Sequence, residues 1–467
     1  MIKYYIDEKN NMHYIKDEIG RGGQGVVYRT FDPDTVIKIP LYENEELTGE
    51  KAKEFSLKIQ NLIYKPIDDS INIAKPLLLL ENTSGYVMEL LNDMEPIKKI
   101  DPSSSAKNED ADIEYPNFLS ELAKKDKRSA SYIVFYLKSG GLRRRLNILQ
   151  HIAIELIKLH SLGLVYCDIS LENIFISDED NICFIDADNI EYSSINKNRV
   201  CTPGFEVPEV VSDDKACPNS LYSDIYAFAI LAFKLLTMTH PFDGNGSEAD
   251  WDSEQSDKKE QWELPWICDA NDDSNKSSKG LQGTLTTTIE LLKLFHIVFE
   301  RGKNNMYDRP TMHLWAKEFA KAYSKTILCQ NCKMSYYDDL HQCCPYCSEK
   351  KPMKIIFESS LSGKPLWYFC REVLDKERIS IPAYTYLGFD ISAKNNFCEV
   401  EYKKTKNSIT ISFDNELKDS MYKINNNIEE KFGLSIKKYK PADLKEGVAL
   451  RIKQSIFCID IHIRVEE

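Results

Sequence analysis

The sequence predicts an α+β protein with a strand-rich beginning, a helical middle, a small cysteine-rich module and a mainly β end. Three observations carry that expectation. A glycine-rich segment, IGRGGQGVVYRT, runs into β-branched and aromatic residues that favour a strand. Apolar stretches of helical period fill the middle of the chain, and strict apolar–polar alternation takes over after Met353. Two CxxC pairs lie between these regions.

The chain has 467 residues, of which 60 are Lys or Arg and 73 are Asp or Glu, a formal charge of −13. That balance argues against general nucleic-acid binding, which needs a surplus of basic side chains on one face. The N-terminus lacks a basic stretch followed by an apolar core, so no secretory signal is expected. The longest uncharged apolar run, Ile225 to Phe233, is far short of the roughly 20 residues of a spanning helix. The expectation is a cytoplasmic protein without a membrane partner. Its 13 cysteines, an odd number with four in CxxC pairs, suggest metal chemistry in a reducing compartment rather than a disulfide framework.

Two polar stretches, 101–130 and 243–282, are rich in Ser, Asn, Asp and Lys and are expected to be surface insertions. Boundaries are expected near Lys325 and Pro352, dividing the chain into 12–323, 325–352 and 353–467.

The elements of the first region follow in order. Gly20, Gly22 and Gly25 precede Val26, Val27 and Tyr28. Missing side chains there let backbone N–H groups close over phosphates. Taken alone the motif equally suits a glycine turn in any hairpin. Lys38 in TVIKIP, on the next expected strand, offers an ammonium to α and β phosphates. The helix ENEELTGEKAKEFSLKIQNLI offers Glu54, or as runner-up Glu50, as the carboxylate partner of Lys38; a solvated helix charge is the plainer reading of either. YVMELLND reads as a strand leading to a hinge, with Met88 against an adenine and Glu89 and Leu91 presenting backbone hydrogen bonds.

Leu142, Leu146, Leu149, Ala153 and Leu156 then mark an amphipathic helix that delivers the chain to VYCDISLENIFI. Asp168 and Asn173, five apart, suit a substrate-facing base and a metal-binding amide. Asp186 in NICFIDADN follows Asp168 by eighteen positions as a carboxylate for Mg²⁺. Each Asp alone could be a turn residue or cap.

In this order the motifs resemble the eukaryotic-like protein kinase superfamily. CTPGFEVPEV resembles the end of an activation segment, with Thr202, Pro203, Gly204, Pro208 and Glu209 at the TPG and APE positions. SDIYAFAILAFKLL resembles the buried central helix of the large lobe, and Arg309 in YDRPTMHLW resembles the Arg that pairs with Glu209. The resemblance implies a bilobal protein-kinase-like fold and Mg²⁺-assisted transfer of the γ-phosphoryl group of ATP to a protein Ser or Thr hydroxyl. A pseudokinase that binds nucleotide or a partner without transfer is the alternative; the intact set Lys38, Asp168, Asn173 and Asp186 argues for transfer.

The chain departs from the family pattern at several positions. Tyr166 and Cys167 replace the His and Arg of the HRD triplet, so no Arg is available to an activation-loop phosphate. Ser170 replaces a Lys. The DFG triplet is Asp186, Ala187, Asp188; the bulk of Tyr166 is expected to offset Ala187, and Asp188 to tune metal binding or cap a turn. The DAD triplet, with GGLRRRL and ELPWICDANDDSN, resembles a divergent bacterial group whose kinases are often encoded beside phosphatases and von Willebrand-type proteins, which the resemblance implies as partners.

In ILCQNCKMSYYDDLHQCCPYCSEK, Cys329 and Cys332 precede Cys344 and Cys347 by eleven intervening residues. Two such knuckles bring four thiolates to one Zn²⁺, closing the coordination shell, so a structural zinc ribbon is expected, with His341 or Cys343 as a substitute ligand. Beyond it, Ile459, Ile461, Ile463 and Val465 alternate with polar residues, and AKNN, TKNS and KEG separate several such runs, as in a small β-sandwich or barrel. LKEGVALRI slightly resembles a forkhead-associated domain, but without its GR or SxxH signatures the region is expected to pack or bind a partner without recognising phosphate.

Overall fold

The structure is a computed structural model that describes residues 3–22, 25–81, 83–101, 113–212, 216–245, 263–277, 279–387, 395–425, 428–454 and 457–467. The first strands are β1 (Tyr4–Ile6), β2 (Met12–Gly22), β3 (Gly25–Thr30) and β4 (Thr35–Tyr42). Helix α1 (Gly49–Ile63) follows, then β5 (Pro76–Leu79) and β6 (Tyr86–Glu89). These strands form an antiparallel sheet in the order β1-β2-β3-β4-β6-β5. In β4 the run Val36 to Leu41 is buried, so Lys38 sits on a strand fixed by its apolar neighbours.

The second lobe is helical. Helix α2 (Lys127–Lys138) starts at Asp126, whose carboxylate caps the Ser129 N–H, and buries Ala130, Tyr132, Val134 and Tyr136. Helix α3 (Gly141–Ser161) buries Leu142, Leu146, Leu149, Ala153 and Leu156, the stripe expected from the sequence. Hairpin β7 (Ile174–Ser177) and β8 (Ile182–Phe184) lies beside it. Helix α4 (Leu221–Thr237) opens on a capping box of Ser220 and Ser223, and every residue from Ser223 to Thr237 is buried. Helices α5 (Ile289–His296) and α6 (Met312–Ser324) complete the lobe.

The described parts of the two expected insertions carry helices and buried anchors. Residues 102–112, 246–262 and 278 lie outside the described residues. Of the rest, 117–125 are largely helical and α2 begins at Lys127, so the first polar stretch runs into the lobe. In the second, Trp266 and Asn275 are fully buried. The indole of Trp266 packs on Phe233 and donates to Glu300, and the Asn275 amide donates to the carbonyls of Phe242 and Pro265. Polar composition concealed these anchors, because one buried Trp and one satisfied Asn suffice to pin a loop.

A short hairpin, β9 (Thr326–Leu328) with β10 (Ser335–Tyr337), leads into the cysteine module. The last region comprises β11 (Lys354–Leu361), β12 (Lys364–Glu372), β13 (Arg378–Pro382), β14 (Asn396–Lys403) and β15 (Ser408–Phe413). It continues with β16 (Met421–Asn425), β17 (Ile428–Lys431), β18 (Ile436–Tyr439), β19 (Val448–Gln454) and β20 (Phe457–Glu466). They make two antiparallel sheets, β12-β11-β20-β19-β16-β17 and β13-β14-β15-β18. Phe357 of the first meets Phe397 of the second edge-on, as in a sandwich core. The alternation in β20 turns Ile459, Ile461, Ile463 and Val465 inward.

The sandwich is not a loose appendage. One apolar core runs from α3 and α6 through Tyr336 and Tyr337 into Ile355, Trp367 and Phe369. At the start of α3, Arg143 makes paired bonds of 2.7 and 2.6 Å to Glu372 and also donates to Thr326.

Candidate active site

A cleft of about 510 Å³ opens between the first sheet and the loops below α1. Gly20, Gly22, Gly25 and Val27 line its roof, with Lys38 behind them. Met88, Glu89 and Leu91 line its inner edge, and Asp168, Asn173 and Asp186 its floor. Thus the expected nucleotide-facing residues meet around one cavity. The three glycines differ physically. A Cβ on Gly20 or Gly22 would meet nothing within 4 Å, whereas one on Gly25 would come 2.8 Å from the Ile39 carbonyl. The strand pair β3–β4 therefore requires the third glycine, and the first two leave backbone open to the cleft.

The floor is built by backbone strain held in place by buried bonds. Cys167 has φ +75°, and its N–H together with that of Tyr166 donates to Asp224 at 3.0 and 2.8 Å. Asp224 is buried at the start of α4, so the helix fixes the loop. Tyr166 is fully buried against Phe184, and its hydroxyl donates to the carbonyls of Asn173 and Ile185. It thereby joins the loop carrying Asp168 to the strand end carrying Asp186. The Asn173 amide donates to the Asp168 carbonyl at 3.0 Å, which turns its amide oxygen away from that carbonyl.

Asp168 accepts a 2.7 Å bond from the Thr202 hydroxyl, a contact the sequence reading did not assign. Burial pushes the Asp168 carboxyl above the ordinary carboxylate range, although the bonds from Thr202 and Asn173 act the other way. A buried carboxylate of raised basicity beside a hydroxyl donor suits a proton acceptor. Ser170 lines the same cleft, and its buried hydroxyl has no hydrogen-bond partner among the described residues.

The partner expected for Lys38 does not reach it. Glu54 and Glu50 are both exposed on α1, and Glu50 pairs with Lys53. The inward positions of α1 are Ile59 and Leu62, with Phe55 stacked on Tyr86 and Lys58 donating to Asn189 at 3.1 Å. Lys38 instead donates to Asp186 at 2.9 Å and to Asp188 at 2.8 Å. Asp188 also accepts a 2.6 Å bond from the buried Tyr86 hydroxyl. Burial disfavours the Lys38 ammonium, but the Asp188 and Asp186 carboxylates outweigh it and hold the pKa well above the usual lysine value. Asp188 is therefore the buried partner of the lysine, where the sequence suggested a metal tuner or turn cap.

Elsewhere, Arg309 meets Glu209 with two bonds of 2.6 and 2.7 Å, the pair expected from the motifs.

In the cysteine module, the thiols of Cys329, Cys332, Cys344 and Cys347 all lie within 4.8 Å of one another, and none is in a disulfide. The two knuckles repeat one geometry. Lys333 and Ser348 have φ +61° and +60°, and each returns its N–H to the first cysteine carbonyl of its knuckle. Cys343 is exposed, and neither it nor His341 belongs to the cluster, which answers the expected substitution. The contact with the Cys332 thiol at 3.5 Å draws the Cys344 pKa below the usual thiol value. The cluster could hold a metal ion.

Residues 103–319 match the sequence model of the protein kinase domain. The chain is 29% identical over 98 residues to the protein kinase C eye isozyme of Drosophila melanogaster, covering 20% of this chain and 14% of that protein. It is 30% identical over 128 residues to human ribosomal protein S6 kinase alpha-3, covering 24% and 17%. With ribosomal protein S6 kinase 2 beta of Xenopus laevis the identity is 24% over 249 residues, covering 49% and 39%. The chain thus spans less than a fifth of the length of the first two relatives. Among the described residues no helix is long and apolar enough to cross a membrane.

Proposed function

Because the chain carries a domain of the eukaryotic-like protein kinase superfamily, we propose that it is an ATP-dependent protein serine/threonine kinase. The observation that carries the proposal is the convergence of Lys38, Asp168, Asn173 and Asp186 on one glycine-roofed cleft. Adenine lies against Met88 and bonds the backbone at Glu89 and Leu91. The open backbone at Gly20 and Gly22 covers the phosphates, and Lys38 neutralises them. Asp168 orients the acceptor hydroxyl and takes its proton as the γ-phosphoryl group leaves ADP. Thr202 keeps the carboxylate turned toward that hydroxyl.

Asp186 and Asn173 bring a carboxylate and an amide oxygen to the cleft floor, a donor set that fits Mg²⁺. That ion would neutralise charge on the phosphates. The four thiols fit a structural Zn²⁺: Zn–S bonds of about 2.3 Å place tetrahedral sulfurs about 3.8 Å apart, and the closest pairs here are 3.5 Å. Thirteen cysteines, none bridged, support a reducing, cytoplasmic setting. The macromolecular partner is a protein substrate rather than nucleic acid, in keeping with the −13 charge. A cognate phosphatase or von Willebrand-type protein is the further partner class that the motif resemblance supports.

Cys167 is a buried, neutral thiol at the position of the phosphate-binding Arg. Activity therefore does not depend on an activation-loop phosphate. Phosphatase treatment is expected to leave the initial rate unchanged, and its loss would contradict this.

The reading is tested by incubating the full chain with Mg²⁺, a general protein acceptor, and either γ-labelled or α-labelled ATP. Label should transfer from γ only and should disappear in Asp186→Asn. Transfer from α-labelled ATP would instead indicate a nucleotidyl transferase, and no transfer with retained ATP binding a pseudokinase.

A further inference from the structure

The two carboxylates on Lys38 are not equivalent. Asp186 has φ +55° and a side chain 29% exposed to the cleft. A single helical turn, Ala187–Asn189, then carries the chain back beneath β4, where the Asp188 side chain is only 10% exposed. There Asp188 is fixed from two sides, by the Lys38 ammonium at 2.8 Å and the Tyr86 hydroxyl at 2.6 Å. Both donors are on neighbouring strands of the first sheet, β4 and β6, so the anchor joins that sheet to the chain segment bearing Asp186. Among the described residues no carboxylate of α1 bonds Lys38, and the helix turns Lys58 toward this site instead.

We propose that Asp188, held by Tyr86, is the positioning residue of Lys38: it keeps the ammonium aimed at the nucleotide phosphates while Asp186 exchanges its bond to Lys38 for a cation. The inference rests on the nucleotide-binding part of the reading above. One acid does what a helix glutamate was expected to do, and the other is left for the metal. It follows that the position of α1 does not gate the lysine. An ammonium is a point charge on a flexible stem, so without a fixed counter-charge it would settle on Asp186 and compete with the cation.

The test compares MgATP with adenosine, which lacks phosphates, by calorimetry on the full chain. In Asp188→Asn, which preserves shape, MgATP affinity should fall about tenfold (about 1.4 kcal/mol), and adenosine affinity should stay within about twofold. Glu54→Gln should change neither. A purely structural role for Asp188 would weaken both ligands together and overturn the proposal, as would unchanged MgATP affinity or an ATP-selective loss in Glu54→Gln. If Asp188→Asn does not fold, Tyr86→Phe should give the same selective loss at smaller size, and equal weakening of both ligands would again overturn it. If the native chain binds MgATP but transfers no phosphoryl group, the kinase reading fails while the ligand ratio still decides the role of Asp188. If it binds no MgATP, both fail.

Discussion

Arg309 meets one carboxylate with two bonds, whereas Lys38 meets two carboxylates with one bond each. Both cations are buried, and both hold distant parts of the chain together. The guanidinium fork matches the geometry of Glu209, stacks on Tyr226 at 4.6 Å and donates further to the Gly302 and Tyr222 carbonyls. Enclosed by these contacts, the pair serves as a fixed brace between the segment ending in Glu209 and the helical lobe. Lys38 sits instead at the edge of a cleft, where one of its carboxylates can be taken by a ligand. The first arrangement stays; the second is built to exchange.

Breaking the brace should produce the largest effect. Arg309→Ala leaves Glu209 half-buried without its partner and should destabilise the fold by about 3–5 kcal/mol, read as a lowered denaturant midpoint. Arg309→Lys should recover little of this, because an ammonium cannot reproduce the fork; full recovery would show that charge alone matters. Replacing the exchanging cation should spare the fold more than the chemistry. Lys38→Ala should lower kcat by about 10²–10³-fold and lower the midpoint by less than Arg309→Ala does, because Asp188 keeps its Tyr86 bond and Asp186 opens to the cleft. An equal loss of stability would mean that Lys38 is a brace too.

How legible these features were in the sequence followed the same division. Glu209 and Arg309 stand in motifs whose order identifies them, and Leu142 to Leu156 declare a helix face by spacing alone. The buried partner of Lys38 was not legible, because any Glu on α1 looks alike in one sequence and the helix phase decides which faces inward. Phe55, Ile59 and Leu62 take the inner face, so Glu54 is left in solvent. The DAD triplet was visible, but the Tyr86 that fixes its last member is 102 positions away. Thr202 lay in a recognised motif, yet only the folded loop shows its hydroxyl on Asp168. Trp266 was hidden by polar neighbours; the three Trp residues of that polar stretch, Trp251, Trp262 and Trp266, were the available signal.

The four-thiol module offers a third kind of brace. Its core is continuous with α3, α6 and the sandwich, so metal removal should be felt by the whole chain. With zinc at about 100 times its dissociation constant, stripping it should remove about 2.7 kcal/mol. A chelator should therefore lower the melting temperature of the native chain and leave Cys344→Ser, already lowered, unmoved. A chelator-insensitive native chain would dismiss the metal.

The smallest expected effect concerns the proton acceptor. In the proposed role Asp168 must be ionised, so activity is expected to fall as pH drops through its raised pKa, with the acid limb above that of an ordinary carboxylate. The Thr202 bond lowers that pKa, so Thr202→Val should move the limb to still higher pH. A shift downward would contradict the assigned hydrogen bond.

Phosphoryl transfer, with Asp168 as the acceptor of the hydroxyl proton, is the chemistry proposed for the cleft. Its most direct measurement is incorporation of γ-labelled phosphate into a general protein acceptor by the native chain and by Asp168→Ala, with ATP binding checked in both. Incorporation is expected from the native chain, with near-complete loss in Asp168→Ala while ATP is still bound. Equal incorporation by both would contradict it.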